Sequence, residues 1–530
     1  MNRRLLLVFG LVVAAGVVRF SLPWLLTRLQ STGSEARPSS PTLLDSGPPA
    51  PTAPPKNPPP GRPFAGKPVS YTTPAPTRTT LQAAAKDTNL VICVLDAARA
   101  DHIGCYGYPR DTTPNLDRLA KESLVFAQHF SQIPQTCPST ISLLTGQYPD
   151  THGVLNNVQE RGVFQTISPA TFTMEQGLQR AGFHTFLLSG NPAASPGLGV
   201  GMDFMYRDYQ HGMPLGRGDE ATTDLLWKIT SLTSELKRQP SPFFVYLHLL
   251  PPHSPYAAPE EMKALFRDTQ PPRYWHSAPG FVEARNSIPD PAGITSGVEW
   301  GNAYDANLRW ADACLGQIEQ MFKQAGLWSK TLFIITSDHG EAFREHGYVF
   351  HVDCPYDEAL HIPLLVRFPG PNKPVGRIGA LTQTIDLLPT LFDLYQLPYP
   401  RSEVQGKSLL PLLVGETDRT NDFVFSRAGV KESTFAIVRD ARSTLLLCGD
   451  GRKRALYDME ADPWQTRNVI SQHPNRAAAL VQAFARFAKS QRYPPLNFLD
   501  PNFKPQKPQK PGARMSEETR RKLKSLGYLK

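Results

Sequence analysis

The chain has 530 residues, more than a single compact core takes, and this predicts one large domain with a smaller companion. Its formal net charge of +9 resides in its ends: residues 1–80 and 501–530 each hold 9 Lys or Arg and 2 acids, while 81–500 hold 38 basic and 43 acidic residues. The body therefore has no basic footprint and no nucleic-acid partner is expected; the six scattered cysteines, without a Cys-x-x-Cys pair, exclude a metal finger and make no disulfide framework.

Asn2-Arg3-Arg4 precedes an apolar run from Leu5 to Val18, then Arg19 and a second run from Phe20 to Leu26. A basic start followed by a short apolar stretch reads as an export signal or membrane anchor over 1–28, which places the rest on the periplasmic or extracellular side. Residues 29–85 are rich in Pro, Ser, Thr and Ala and form a spacer with no core of its own.

A catalytic domain is expected over 86–400. Asn89 to Leu95 is a continuous aliphatic run, as in a strand buried on both faces of a parallel sheet, and it ends in Asp96. Helix Pro114 to Ser123 and strand Leu124 to Phe130 follow. Next comes Gln135 to Gly146, where Pro138 suits a helix's first turn and Thr136 stands at its lip, with backbone N–H groups available to an anion. The alternation continues: helix Thr173 to Ala181, strand His184 to Ser189, helix Glu220 to Lys237 and strand Phe243 to Leu250. Two prolines then brace a loop carrying His253. A long helix, Val298 to Lys323, leads to the strand from Thr331 that ends in Asp338-His339-Gly340-Glu341, followed by a loop with His346 and His351. Strand Pro363 to Phe368 and helix Thr384 to Tyr395 close the domain. The fold class is α/β, a doubly wound, mostly parallel sheet flanked by helices. Over 401–492, short runs split by turns (422–426, 434–439, 443–448, 454–458) and a helix near Arg476 to Lys489 predict a small antiparallel α+β subdomain. Residues 493–530 form a basic tail with a short helix from Ser516.

Ligands in open α/β sheets bind beyond the carboxyl ends of strands. Asp96, Asp338 and His339 stand at such ends, with His253 two residues beyond a third, and these residue types hold a divalent cation. A cation touching the Thr136 hydroxyl lowers its pKa and makes it a nucleophile toward a tetrahedral oxyanion ester. A capping Asp or a loop His is the plain alternative for each residue taken singly.

The stretches Val94 to Gly107, Thr113 to Leu119, Pro138-Ser139 with Leu143 to Gly146, Tyr148-Pro149 with His152 to Val154, His253 with Pro255-Tyr256, Thr336 to Glu341 and Ala455 to Asp458 with Asp462-Pro463 occur in this order. Together with the closing Leu526 to Leu529, they make the chain resemble the sulfatase family of the alkaline phosphatase superfamily. The resemblance implies an alkaline-phosphatase-like fold and one divalent metal (Ca, Mn or Zn left open) held by Asp96, Asp338, His339 and Thr136. It implies catalysis by Thr136 and His253, with His152, His253, His351 and Thr140 around the substrate anion and Glu341 packing behind the ligands. Two departures stand out. Ala97 occupies the place of a second Asp, and the family's Cys-x-Pro-x-Arg signal is broken, with Thr136 at the Cys position, Thr140 at the Arg position and Cys137 one residue late. Formylglycine is not expected. A Thr at the nucleophile position resembles the phosphoethanolamine and phosphoglycerol transferases of the same superfamily.

The expected function is metal-dependent hydrolysis of sulfate or phosphate esters on a small molecule, glycan or lipid. The alternatives are a phosphodiester hydrolase or phosphoryl transferase without sulfatase activity, and a surface protein that binds anionic glycans with degraded catalysis.

Overall fold

The structure is a computed structural model that describes residues 69–499, apart from 74, 158–162, 195–203, 208–229, 231, 239–241, 268–296, 372, 430–433 and 450–453, together with 513–514. The N-terminal segment 1–28, the Pro-rich spacer up to residue 68, the first half of the helix expected over 220–237, and the tail helix from Ser516 lie outside the described residues; the last part of the stretch expected as spacer instead joins the domain, with a strand at Val69–Tyr71 and a helix at Arg78–Ala85 that buries Leu81 and Ala85 in its core. Among those described, no helix is long and apolar enough to cross a membrane.

A ten-stranded mixed sheet carries the rest. Its strands are β1 (Val69–Tyr71), β2 (Asn89–Leu95), β3 (Leu124–Phe130), β4 (His184–Ser189), β5 (Phe204–Arg207), β6 (Phe243–Leu249), β7 (Thr331–Thr336), β8 (His361–Ile362), β9 (Leu364–Arg367) and β10 (Gly376–Gln383). They lie in the order β1-β10-β3-β9-β7-β2-β6-β4-β5, with β8 beside β3. Strand β2 runs parallel to β6 and β7, and β4 parallel to β5 and β6. Strand β9 runs antiparallel between β3 and β7, because the chain returns from β7 without a crossover helix long enough to restore direction.

Period-two alternation splits the core. Leu90, Ile92 and Val94 of β2 face a layer containing α2 (Thr136–Thr145) and α4 (Leu387–Leu394), where Cys137, Ile141, Leu144, Leu388 and Leu391 pack. Val91, Cys93 and Leu95 face α1 (Pro114–Ala120) and α3 (Gly297–Gln324) through Leu116, Leu308, Leu315 and Phe322. Four strands of the sheet have no counterpart in the sequence reading: β1, β5, β8 and β10. In β10, two glycines and a register shift between Ile378 and Leu381 obscure the alternation. The helix expected over 384–395 begins as a 3₁₀ turn, Thr384–Asp386, before α4.

Beyond residue 400, β11 (Val424–Ala428), β12 (Phe435–Arg439), β13 (Ser443–Cys448) and β14 (Arg454–Asp458) form an antiparallel meander covered by α5 (Pro474–Ser490). Its first strand is tied to the loop after β3. Arg427 N–H donates to the Gln132 carbonyl at 2.9 Å and Ser426 Oγ to the Ser131 carbonyl at 2.6 Å, while Arg427 pairs with Asp150. All six cysteines are free thiols.

Gly406 lies against the main chain of Ile385, and a β-carbon there would fall inside the contact radius of that carbonyl. Backbone on both sides leaves little room to yield, so Gly406→Ala should cost at least ~2 kcal/mol. The check is its urea midpoint, which would match the parent's if this packing were loose.

Candidate active site

The alternation that sorts the core also builds the site. Leu90, Ile92 and Val94 share a face of β2, and Asp96 continues that row one step beyond the strand. On the neighbouring parallel strand, Phe244 and Tyr246 share the face and His248 continues it, with Val94 and His248 as register partners. His248 Nε2 accordingly lies 3.0 Å from Asp96 Oδ2 and 3.7 Å from Asp338 Oδ2. From the end of β4, Asn191 Nδ2 donates to Asp96 Oδ2 at 2.6 Å.

Asp338 follows β7 and is held from several sides. The backbone N–H groups of Ala97 and His339 donate to its Oδ1 at 3.1 and 2.9 Å. Its main-chain carbonyl accepts from Ser131 Oγ at 2.6 Å and Ser139 Oγ at 2.7 Å. Ser337 Oγ accepts from Ala98 N–H at 2.8 Å and donates to the Leu95 carbonyl at 2.7 Å, locking the ends of β2 and β7 together. Ala97 has φ of +62°, a left-handed conformation in which a β-carbon costs about 1 kcal/mol, so strain is retained between the two carboxylates.

Both carboxylates are buried, and each is oriented through one oxygen while the other, Asp96 Oδ1 or Asp338 Oδ2, has no hydrogen-bond partner. Buried carboxylate oxygens left bare are costly, and a cation is the group that satisfies two at once. His339 Nε2 lies 3.9 Å from Asp96 Oδ1, 3.5 Å from Asp338 Oδ2 and 3.2 Å from Thr136 Oγ1. The residues present therefore fit a divalent ion. Asp96, His248 and Asp338 form the metal-competent group among the described residues. His248 and Asn191 were not singled out in the sequence; a histidine inside the apolar run Phe243–Leu249 reads as strand interior, and only its parity with Tyr246 hints at the shared face.

Burial works against the Asp96 charge, but the imidazoles of His253 and His248 hold its carboxyl below the ordinary range. His248 is likewise raised, burial being outweighed by its bond to and the charge of Asp96. Glu341 is buried behind the ligands and accepts a hydrogen bond from Tyr256 at 3.2 Å; burial pushes it up to about 7.

Thr136 is the first residue of α2, as expected. The expected crown of N–H groups is reduced, because Asn157 Oδ1 takes the Cys137 N–H at 2.8 Å and Pro138 has none. Cys137 points into the core, where burial raises its thiol far above the ordinary value. Thr140 reaches the cluster only through Tyr246, whose hydroxyl lies 3.5 Å from Thr140 Oγ1 and 3.2 Å from His248 Nδ1. His152 is turned away: its Nε2 shares a 3.0 Å hydrogen bond with Ser142 Oγ and its Nδ1 accepts the Val154 N–H at 3.1 Å, so the ring ties α2 to the start of the next loop.

His253 and His351 form a pair, their Nε2 atoms 3.3 Å apart, with the His351 ring stacked 4.0 Å from that of His339. The Nδ1 of each faces a main-chain carbonyl, Ser254 for His253 and Pro134 for His351, and must carry hydrogen. The facing Nε2 atoms then share one proton. It belongs on His253, which is raised against its burial by Asp96 and Glu341, whereas burial and the neighbouring imidazoles hold His351 well below the usual value.

A hydroxyl at a helix start, bare carboxylate oxygens and a proton-holding imidazole pair, gathered at the strand ends of such a sheet, are the equipment of an α/β ester hydrolase. A family model described as sulfatase matches residues 88–397, and one described as N-sulphoglucosamine sulphohydrolase, C-terminal, matches 344–490. The chain belongs to the sulfatase family and is one of its enzymes. It is 27% identical over 423 residues to an endo-4-O-sulfatase of Bacteroides thetaiotaomicron, covering 67% of this chain and 80% of that protein. It is 24% identical to the multifunctional alkaline phosphatase superfamily protein PehA of Trinickia caryophylli, covering 76% and 95%. The phosphonate monoester hydrolase of Agrobacterium radiobacter superposes with a TM-score of 0.63 at 21% identity, covering 75% of this chain and 95% of that one, which establishes the common alkaline-phosphatase-like fold.

The imidazole pair can be read directly. Nitrogen-15 spectra should show His253 titrating above, and His351 below, the ordinary imidazole value of about 6.5; the reverse order would contradict the shared-proton arrangement.

Proposed function

We propose that this protein hydrolyses sulfate esters with Thr136 as nucleophile. The observation that carries the reading is the pair of bare, buried carboxylate oxygens, Asp96 Oδ1 and Asp338 Oδ2, beside a hydroxyl at a helix start. Asp96, Asp338 and His339, with Thr136, would hold a divalent ion, which lowers the pKa of the hydroxyl and balances the charge of the ester anion. Thr136 Oγ1, its proton released to solvent, forms the new bond to sulfur as the bond from sulfur to the alcohol oxygen breaks, and His253 Nε2 supplies the proton that the departing oxygen needs. Water then cleaves the threonine ester. His351 Nε2 faces this same nitrogen and keeps the His253 ring oriented until the leaving oxygen takes the proton. The basic and apolar start of the chain supports export, and the sulfatase names of its relatives support a sulfated glycan or small molecule as substrate.

A second reading, cleavage of phosphate esters, is favoured by position 140. Thr140 presents no guanidinium to an anion, and its hydroxyl oxygen accepts from Tyr246 at 3.5 Å. A threonine ester also lacks the aldehyde exit of a formylglycine site and must be resolved by water or another alcohol.

Aryl sulfate and phosphate diester substrates offered side by side separate the two readings. Thr136→Ala should lower kcat by at least ~10³-fold, while Cys137→Ser stays within ~10-fold. A sulfuryl adduct should appear in the mass of the Thr136 peptide after rapid quenching; an active protein modified at Cys137 would instead replace Thr136 as nucleophile. Activity should be full while His253 is protonated and decline as pH rises through its raised pKa. An alkaline limb unchanged in His253→Gln would remove it as the acid.

A further inference from the structure

We propose that His248 is a metal ligand, giving a site of two carboxylates, two imidazoles and one hydroxyl that selects zinc over calcium. This inference rests on the metal-dependent reading above and extends it to a fifth donor and an ion.

Each imidazole is prepared for ligation in the same way. His339 Nδ1 donates to the Gly340 carbonyl at 2.9 Å, so its Nε2 presents a lone pair toward Asp96, Asp338 and Thr136. His248 Nδ1 lies 3.2 Å from the Tyr246 hydroxyl, which passes its own hydrogen on toward Thr140, and its Nε2 points at Asp96 and Asp338. A histidine whose second nitrogen is tied to an oxygen is oriented and made more basic for a metal. Both carboxylates are arranged to match: Asp338 is fixed through Oδ1 by two backbone N–H groups and leaves Oδ2 bare, 3.7 Å from His248 Nε2, while Asp96 Oδ2, held by Asn191, lies 3.0 Å from His248 Nε2 and Oδ1 is left bare, 3.9 Å from His339 Nε2. The facing donors are separated by 3.0–3.9 Å, the spacing of neighbours around one small ion held ~2 Å from each.

The donor types decide the ion. Calcium takes 6–8 oxygens and gains little from imidazole, and here Ala97, beside Asp96, adds no oxygen from its side chain. Two nitrogens with two carboxylates suit zinc.

The test uses the full chain, stripped with chelator and titrated separately with zinc chloride and calcium chloride by calorimetry. One equivalent of zinc should bind at least ~10-fold more tightly than calcium, and His248→Ala should weaken zinc by at least ~10-fold. X-ray absorption at the zinc edge of the parent protein should count two imidazole rings. One ring, an unchanged zinc affinity in His248→Ala, or calcium bound as tightly as zinc would overturn the inference while leaving a metal-dependent enzyme. A parent that binds neither ion would remove the metal-dependent reading itself. If His248→Ala loses its far-ultraviolet circular dichroism signal, the ring count on the parent decides alone.

Discussion

Two carboxylates stand side by side, almost fully out of water, at the ends of adjacent parallel strands. Burying Asp96 and Asp338 this way costs several kcal/mol per charge unless the surroundings compensate, and much of the nearby architecture answers that cost. Backbone N–H groups and Asn191 satisfy one oxygen of each carboxylate, and His248, His253 and His339 supply positive or polarisable neighbours. The serines at 131, 139 and 337 hold the turns on which the ligands sit. The same field that would otherwise unfold the site gives it affinity for a cation and holds a proton on His253.

Some of this was legible in the chain. Strands β2, β6 and β7 announce themselves as apolar runs, and β2 and β7 lead directly into ionisable residues that the strand interior would reject, which is why Asp96 and Asp338 could be singled out. Thr136 stood out through the proline two residues on. What stayed hidden depends on which strand lies beside which. His248 lies within an apolar run, and nothing local distinguishes it from a satisfied core histidine; pairing with β2 in the register Val94–His248 is what delivers it to Asp96. Asn191 and Asn157 act across gaps in sequence of 95 and 20 residues, on the Asp96 carboxylate and the Cys137 N–H. His152 shows the converse. A family position marked it, yet the helix beside it offered Ser142 as a nearer partner.

The shift from thiol to hydroxyl at the helix start also has a structural side. Cys137 has become a core residue, packed with Ile141 and Leu144, and its backbone is capped by Asn157. Thr136 is thereby turned toward His339 and the carboxylates by the same turn that removes the sulfur from them. Identity at one position and burial at the next are a single geometric choice, since adjacent helical residues point about 100° apart.

Ser131 links the second sheet to this choice. Its hydroxyl holds the Asp338 carbonyl, and its own carbonyl accepts from Ser426 on β11. The meander therefore works as a buttress pressed against the turn that presents a ligand. Whatever loosens β11 loosens Asp338, two bonds and one residue away. A shortened protein ending near residue 400 would keep the carboxylates, the hydroxyl and the imidazoles in its sequence while losing the brace that sets their spacing. The segment beyond that point thus sets the geometry of the active site through main-chain hydrogen bonds alone.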